Sequence, residues 1–145
     1  MDVLRTFSEH LGYSEAESAL IAADGPRVRF AEALGAASAE YLIVATVLRA
    51  ANCNSGYAPG DRFVLDPAGN FIAKRCPARL CVYLLSQLAL PVALINERFC
   101  AGLPPGDFHF MRQVHCLDTG VGCKGYGGVL LEVTAPRRRD FLKGG

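Results

Sequence analysis

The chain changes character near residue 40. Up to Ser38 apolar side chains recur at helical spacing and no cysteine occurs; from Tyr41 onward short runs rich in β-branched residues alternate with Pro-Gly and Asp-Pro punctuation. Helices gathered ahead of the strands, with hairpin-like punctuation between the first strands, point to an α+β arrangement with antiparallel strands. The sequence therefore predicts an α+β fold in three parts. A helical arm or cap covers residues 1–38, and a cysteine-containing α+β domain covers 39–136. A basic tail covers 137–145. Within the second part the expected core is a small antiparallel β-sheet or β-roll with two inserted helices.

In the arm, Val3, Leu4, Phe7 and Leu11 share one helix face and Gly12 ends it. Ser14 and Glu17 have the spacing of a capping box, which opens a second helix reaching Ala22 to Asp24. Gly25-Pro26 breaks that helix, and Pro26 suits the first turn of a third, with Val28, Phe30, Ala31 and Leu34 on its apolar face. Tyr41 to Leu48 then reads as a strand. After the Pro59-Gly60 turn, Phe63 to Leu65 is its antiparallel partner, and Phe71 to Ala73 is a brief third strand. Pro77 suits a first helical position, making Cys76 the expected N-cap of a helix to about Leu88, and a further helix runs from Pro91 to Cys100. Phe108 to Cys116 and Val129 to Val133 are the remaining predicted strands. Pro136-Arg137-Arg138-Arg139-Asp140 reads as a solvated terminus.

With 145 residues, 51% of them apolar, the chain can bury a core without covalent staples, so its six cysteines are not needed for stability. A net charge of +1 carries no electrostatic footprint for nucleic acid. The N-terminal segment is amphipathic and lacks the apolar run of a signal peptide. The tract Leu80 to Ile95, interrupted by Ser86, Gln87 and Pro91, is too short and too polar to span a bilayer. These features predict a cytoplasmic protein with neither a nucleic-acid nor a membrane partner. In such a compartment cysteine enrichment points to metal or thiol chemistry.

The cysteines divide by setting. Cys81 and Cys100 fall on apolar helices and read as core residues, because free cysteine packs as a small hydrophobe. Cys53, Cys76, Cys116 and Cys123 fall in loops, at a cap or near a strand end, and form the candidate metal set, with zinc or iron as the ion. The chain has no C-x-x-C pair, so no zinc ribbon or finger is present. As an N-cap residue preceded by Lys74 and Arg75, Cys76 is also the best nucleophile candidate, with His115 as the available base. Strand alternation turns His115 and Cys116 to opposite faces, so a dyad of these two neighbours would need a bulge. Gly120-Val121-Gly122-Cys123-Lys124-Gly125 satisfies G-x-G-x-x-G, yet a strand rather than a helix is predicted to follow it, which argues against a nucleotide cofactor. Its glycines suit a hairpin loop, in which Lys124 and backbone amides offer an anion position.

Cys53-Asn54-Ser55-Gly56-Tyr57-Ala58-Pro59-Gly60-Asp61, then Cys76-Pro77, then Cys116 resemble a family of small, uncharacterised prokaryotic proteins with the pattern C-x-x-G-H-x-x-G-D, a later C-P and a final cysteine. The resemblance covers residues 41 to 134 and departs at Tyr57, where histidine is usual. It implies a set of functional cysteines and no particular reaction. The resulting expectation is a small cysteine-rich metal-binding accessory subunit that docks on a larger catalytic subunit. The alternatives are a thiol-dependent enzyme using Cys76 or Cys116, and a structural homo-oligomer with buried thiols.

Overall fold

In the computed structural model, which describes residues 2–143, the arm is three helices whose ends follow the local signals. Helix α1 (Val3–Leu11) starts where the Asp2 side chain accepts the Arg5 N–H and stops at Gly12, whose φ of 74° is the left-handed value glycine adopts without penalty. Helix α2 (Glu15–Ala22) has a complete capping box between Ser14 and Glu17. Asp24 caps helix α3 (Gly25–Glu40), with Pro26 in its first turn.

Four strands follow: β1 (Ile43–Ala51), β2 (Arg62–Leu65), β3 (Gln113–His115) and β4 (Gly128–Thr134). They form one open antiparallel sheet in the order β2-β1-β4-β3. Alternation along the strands gives the sheet two apolar faces. Ile43, Ala45 and Val47 of β1 join Phe63, Leu65, Val129, Leu131 and Val133 on one face. Against them pack Leu84 of helix α4 (Val82–Leu85), Leu88, and Val92 and Ile95 of helix α5 (Ala89–Cys100). Each such side chain taken fully out of water stabilises the fold by about 1.5–3 kcal/mol, so this layer is the main core. The other face carries Leu42, Val44 and Val64, covered by Ile72 and by Phe141 of helix α6 (Arg138–Lys143). The arm packs through α3 on α5, where the Tyr41 ring lies 5.5 Å from that of Phe99. Among the described residues no helix is long and apolar enough to cross a membrane.

The architecture is the predicted α+β fold, and three local expectations are corrected. Cys76 caps no helix: it closes a 3₁₀ turn (Ala73–Arg75), residues 77–81 are irregular, and the next helix begins at Val82. The predicted strand Phe71 to Ala73 is a single bridge between Phe71 and Leu65 before that 3₁₀ turn. The predicted strand Phe108 to Cys116 shrinks to Gln113–His115, because Met111 takes a left-handed φ of 62° and the Arg112 guanidinium folds back onto the Gly106 and Phe108 carbonyls. The basic segment keeps Arg137, Arg139 and Asp140 exposed and is also anchored to the rest of the fold. Arg137 bridges to Tyr41 in the backbone and to Glu40 by its side chain, and the Arg62 guanidinium sits 4.9 Å from the centre of the Phe141 ring. Gly144 and Gly145 lie outside the described residues.

Candidate functional site: a cavity lined by three thiols

The site begins with a β-bulge. Val47 pairs with Leu131 and Arg49 with Leu130, so Leu48 is an extra residue that reverses the facing pattern of β1. Beyond the bulge Ala50 turns to the main core, and Cys53 follows it there. A tight turn closed by the Gly56 N–H on the Cys53 carbonyl at 3.0 Å, with Gly56 at φ 76°, then brings in Tyr57.

Tyr57 is 6% exposed, and its ring stands edge-on to Phe63 at 5.2 Å. Its hydroxyl donates to the Arg79 carbonyl at 2.7 Å and accepts the Cys81 N–H at 2.9 Å. Burial, the largest effect, raises its pKa above the ordinary phenol value despite the hydrogen bond from Cys81. This one side chain satisfies both ends of an otherwise irregular segment. It thereby fixes Cys81 at the N-terminus of α4, where the Cys81 carbonyl accepts the Leu84 and Leu85 N–H groups. The apolar helix expected to bury Cys81 does not include it.

Cys116 follows β3 directly. Its N–H donates to the Val129 carbonyl at 2.9 Å, and its Sγ accepts the Val129 N–H at 3.3 Å. The loop beyond it is organised by Asp118, whose carboxylate accepts the N–H groups of Gly120 at 3.0 Å, Tyr126 at 2.8 Å and Gly127 at 3.0 Å. Those bonds, the Gly120 and Tyr126 ones foremost, hold the Asp118 carboxyl below its usual pKa. The glycine-rich stretch is therefore a hairpin loop between β3 and β4 with positive φ at Gly120 and Lys124. An internal carboxylate occupies its amides. Lys124 is exposed on this loop.

Cys53, Cys81 and Cys116 line one cavity of about 450 Å³. Tyr57, Leu84 and Val129 form its buried side, and Tyr83 and Tyr126 stand exposed at its mouth. The other thiols lie elsewhere. Cys76 Sγ accepts the Val64 N–H at 3.4 Å and donates to the Val64 carbonyl at 3.5 Å, which satisfies the outer edge of β2. Cys123 is exposed in the 3₁₀ turn Val121–Cys123, and Cys100 ends α5. All six are free thiols. His115 turns away from Cys116 into a separate shallow hollow with Arg49 and Leu130, its Nδ1 lying 2.7 Å from the Cys116 carbonyl oxygen.

Of the four cysteines singled out by sequence, the cavity gathers Cys53 and Cys116, leaves Cys76 and Cys123 outside, and adds Cys81. Tyr57, Asp118 and the mouth tyrosines also went unforeseen as site residues. Among the described residues no group of three or more His, Cys, Asp or Glu side chains is already placed to hold one metal ion. The lining contains no His, Lys or Arg, and its single carboxylate, Asp118, is taken up by three amides. No free base stands beside these thiols, so the arrangement suits the binding of a soft ligand better than proton transfer.

Fold and cavity together define an open-sheet α+β protein with a thiol-lined cleft at one end of the sheet. No family model, curated protein or solved structure matches the chain.

Proposed function

We propose that this protein is a metal-binding accessory subunit whose Cys53, Cys81 and Cys116 thiolates hold a zinc or iron ion. The observation that carries the reading is that three thiols, from the turn after β1, the start of α4 and the end of β3, line one cavity. Three soft sulfur donors suit either metal and leave a coordination position for an outside ligand. The subunit role is supported by the absence of a free base in the lining and by exposed apolar neighbours of the site cysteines, Leu80, Val82 and Leu117. These exposed apolar residues are candidate contacts for a larger catalytic subunit. Metal analysis of anaerobically purified protein tests the metal reading. The expected result is about one equivalent per chain in the wild type, lost in Cys53→Ser, Cys81→Ser and Cys116→Ser and retained in Cys123→Ser. Substoichiometric metal in the wild type, or metal content indifferent to the three cavity substitutions, overturns it.

A further inference from the structure

We propose that the cavity takes a small, uncharged aromatic compound bearing a thiophilic centre, with the thiols binding that centre and the mouth tyrosines holding its ring. The inference rests on the reading of Cys53, Cys81 and Cys116 as one soft-donor site, and it names a ligand that takes the metal's place there in the metal-free protein. At about 450 Å³ the cavity falls in the range of small-molecule sites and has room for far more than a bare ion. Its chemistry is graded from inside to outside. The thiols and the apolar side chains of Leu84 and Val129 lie inward, whereas Tyr83 is 64% exposed and Tyr126 is 82% exposed. Two tyrosine rings left so open at the rim of an apolar cleft offer faces for stacking. Their backbones are also held at the rim: the Tyr83 carbonyl accepts the Leu117 N–H at 3.2 Å, and the Tyr126 N–H is bound to Asp118. The lining has no cation, and the negative charge of Asp118 is satisfied by backbone amides, so nothing in it favours an ionic ligand.

Phenylarsine oxide, hydrated as a phenylarsonous diol, is a probe that joins both features. Two As–O bonds are replaced by two As–S bonds to cavity thiols, two waters leave carrying the thiol protons, and no electrons are transferred. Arsenite makes the same exchange without a ring. Titration calorimetry on reduced, metal-free full-length protein, with both probes, gives the test. Tyr83→Ala and Tyr126→Ala are expected to weaken phenylarsine oxide binding about tenfold each, in keeping with ring stacking, and to leave arsenite binding within about twofold. Because both side chains are exposed, the variants should keep the wild-type circular dichroism. Equal loss of both probes, or loss of neither, overturns the aromatic assignment while leaving the thiol site standing. Failure of both probes to bind the wild type, or binding that survives Cys53→Ser, Cys81→Ser and Cys116→Ser, overturns the assignment together with the reading it rests on.

Discussion

Tyr57 shows how much one side chain decides here. Its hydroxyl is the shared partner of the Arg79 carbonyl and the Cys81 amide, and removing it leaves two part-buried backbone groups unmet. Tyr57→Phe should lower the unfolding free energy in urea by about 1–3 kcal/mol, the range for orphaned buried polar groups. The same residue sets an alkaline limit. Its folded pKa lies above the unfolded value of about 10, so its protonated form stabilises the fold fully below that value, and this contribution fades as pH rises through the higher folded pKa. The wild type should therefore lose more stability above pH of about 10 than Tyr57→Phe does, a difference readable from urea midpoints across that range. Matching alkaline profiles would show that Tyr57 is not the group responsible.

The elements differ in how far local sequence decided them. Gly12, the Ser14 and Glu17 box and Pro26 act within one turn of themselves, so α1, α2 and the start of α3 could be read directly, as could the pairing of β1 with β2. Cys76-Pro77 carries a helix-start signal just as strong and starts none, because distant groups win there: Val64 takes the Cys76 sulfur from both sides and Tyr57 takes the backbone of Arg79 and Cys81. The candidate thiols went partly astray for the same reason. Cys76 is drawn to the edge of β2, and Cys81, whose apolar setting reads as core, reaches the cavity through a bond to a residue 24 positions earlier; Cys53 lies in the cavity as its loop setting suggests, turned inward by a bulge that alternation does not announce. The β3–β4 hairpin, by contrast, closes through a constraint that sequence shows only as a run of glycines. A Cβ on Gly127 would stand 2.6 Å from the Ala51 carbonyl oxygen, and closer still to that of Asn52. Since backbone must shift to admit it, Gly127→Ala is expected to cost about 1–3 kcal/mol by chemical denaturation, like other overpacked sites. A neutral result would mean that this end of β1 yields freely and that the close approach of Gly127 does not constrain it.

At the scale of the whole molecule the sheet must be covered twice, and the two covers differ in kind. The main face is sealed by α4 and α5 and carries the cavity, while the second face, Leu42, Val44 and Val64, depends on Ile72 and on one short helix at the end of the described chain. Phe141 is the ring that α6 contributes to that face, and the Arg62 guanidinium covers it in turn. Truncating it exposes apolar strand surface and leaves a gap that six residues of helix have little else to close. Phe141→Ala should thus destabilise the protein by about 1–3 kcal/mol, below the full cost of a core phenylalanine because the ring is only half-buried. Removing the exposed Arg137–Glu40 pair by Arg137→Ala should cost less than about 1 kcal/mol. Because the sheet separates this face from the cavity, the Phe141→Ala protein that remains folded should bind as much metal per chain as the wild type. Urea denaturation and metal analysis on one preparation decide the point. Loss of metal in step with stability would mean that the sheet transmits disorder from one face to the other, and that the C-terminal helix belongs to the site as well as to the fold.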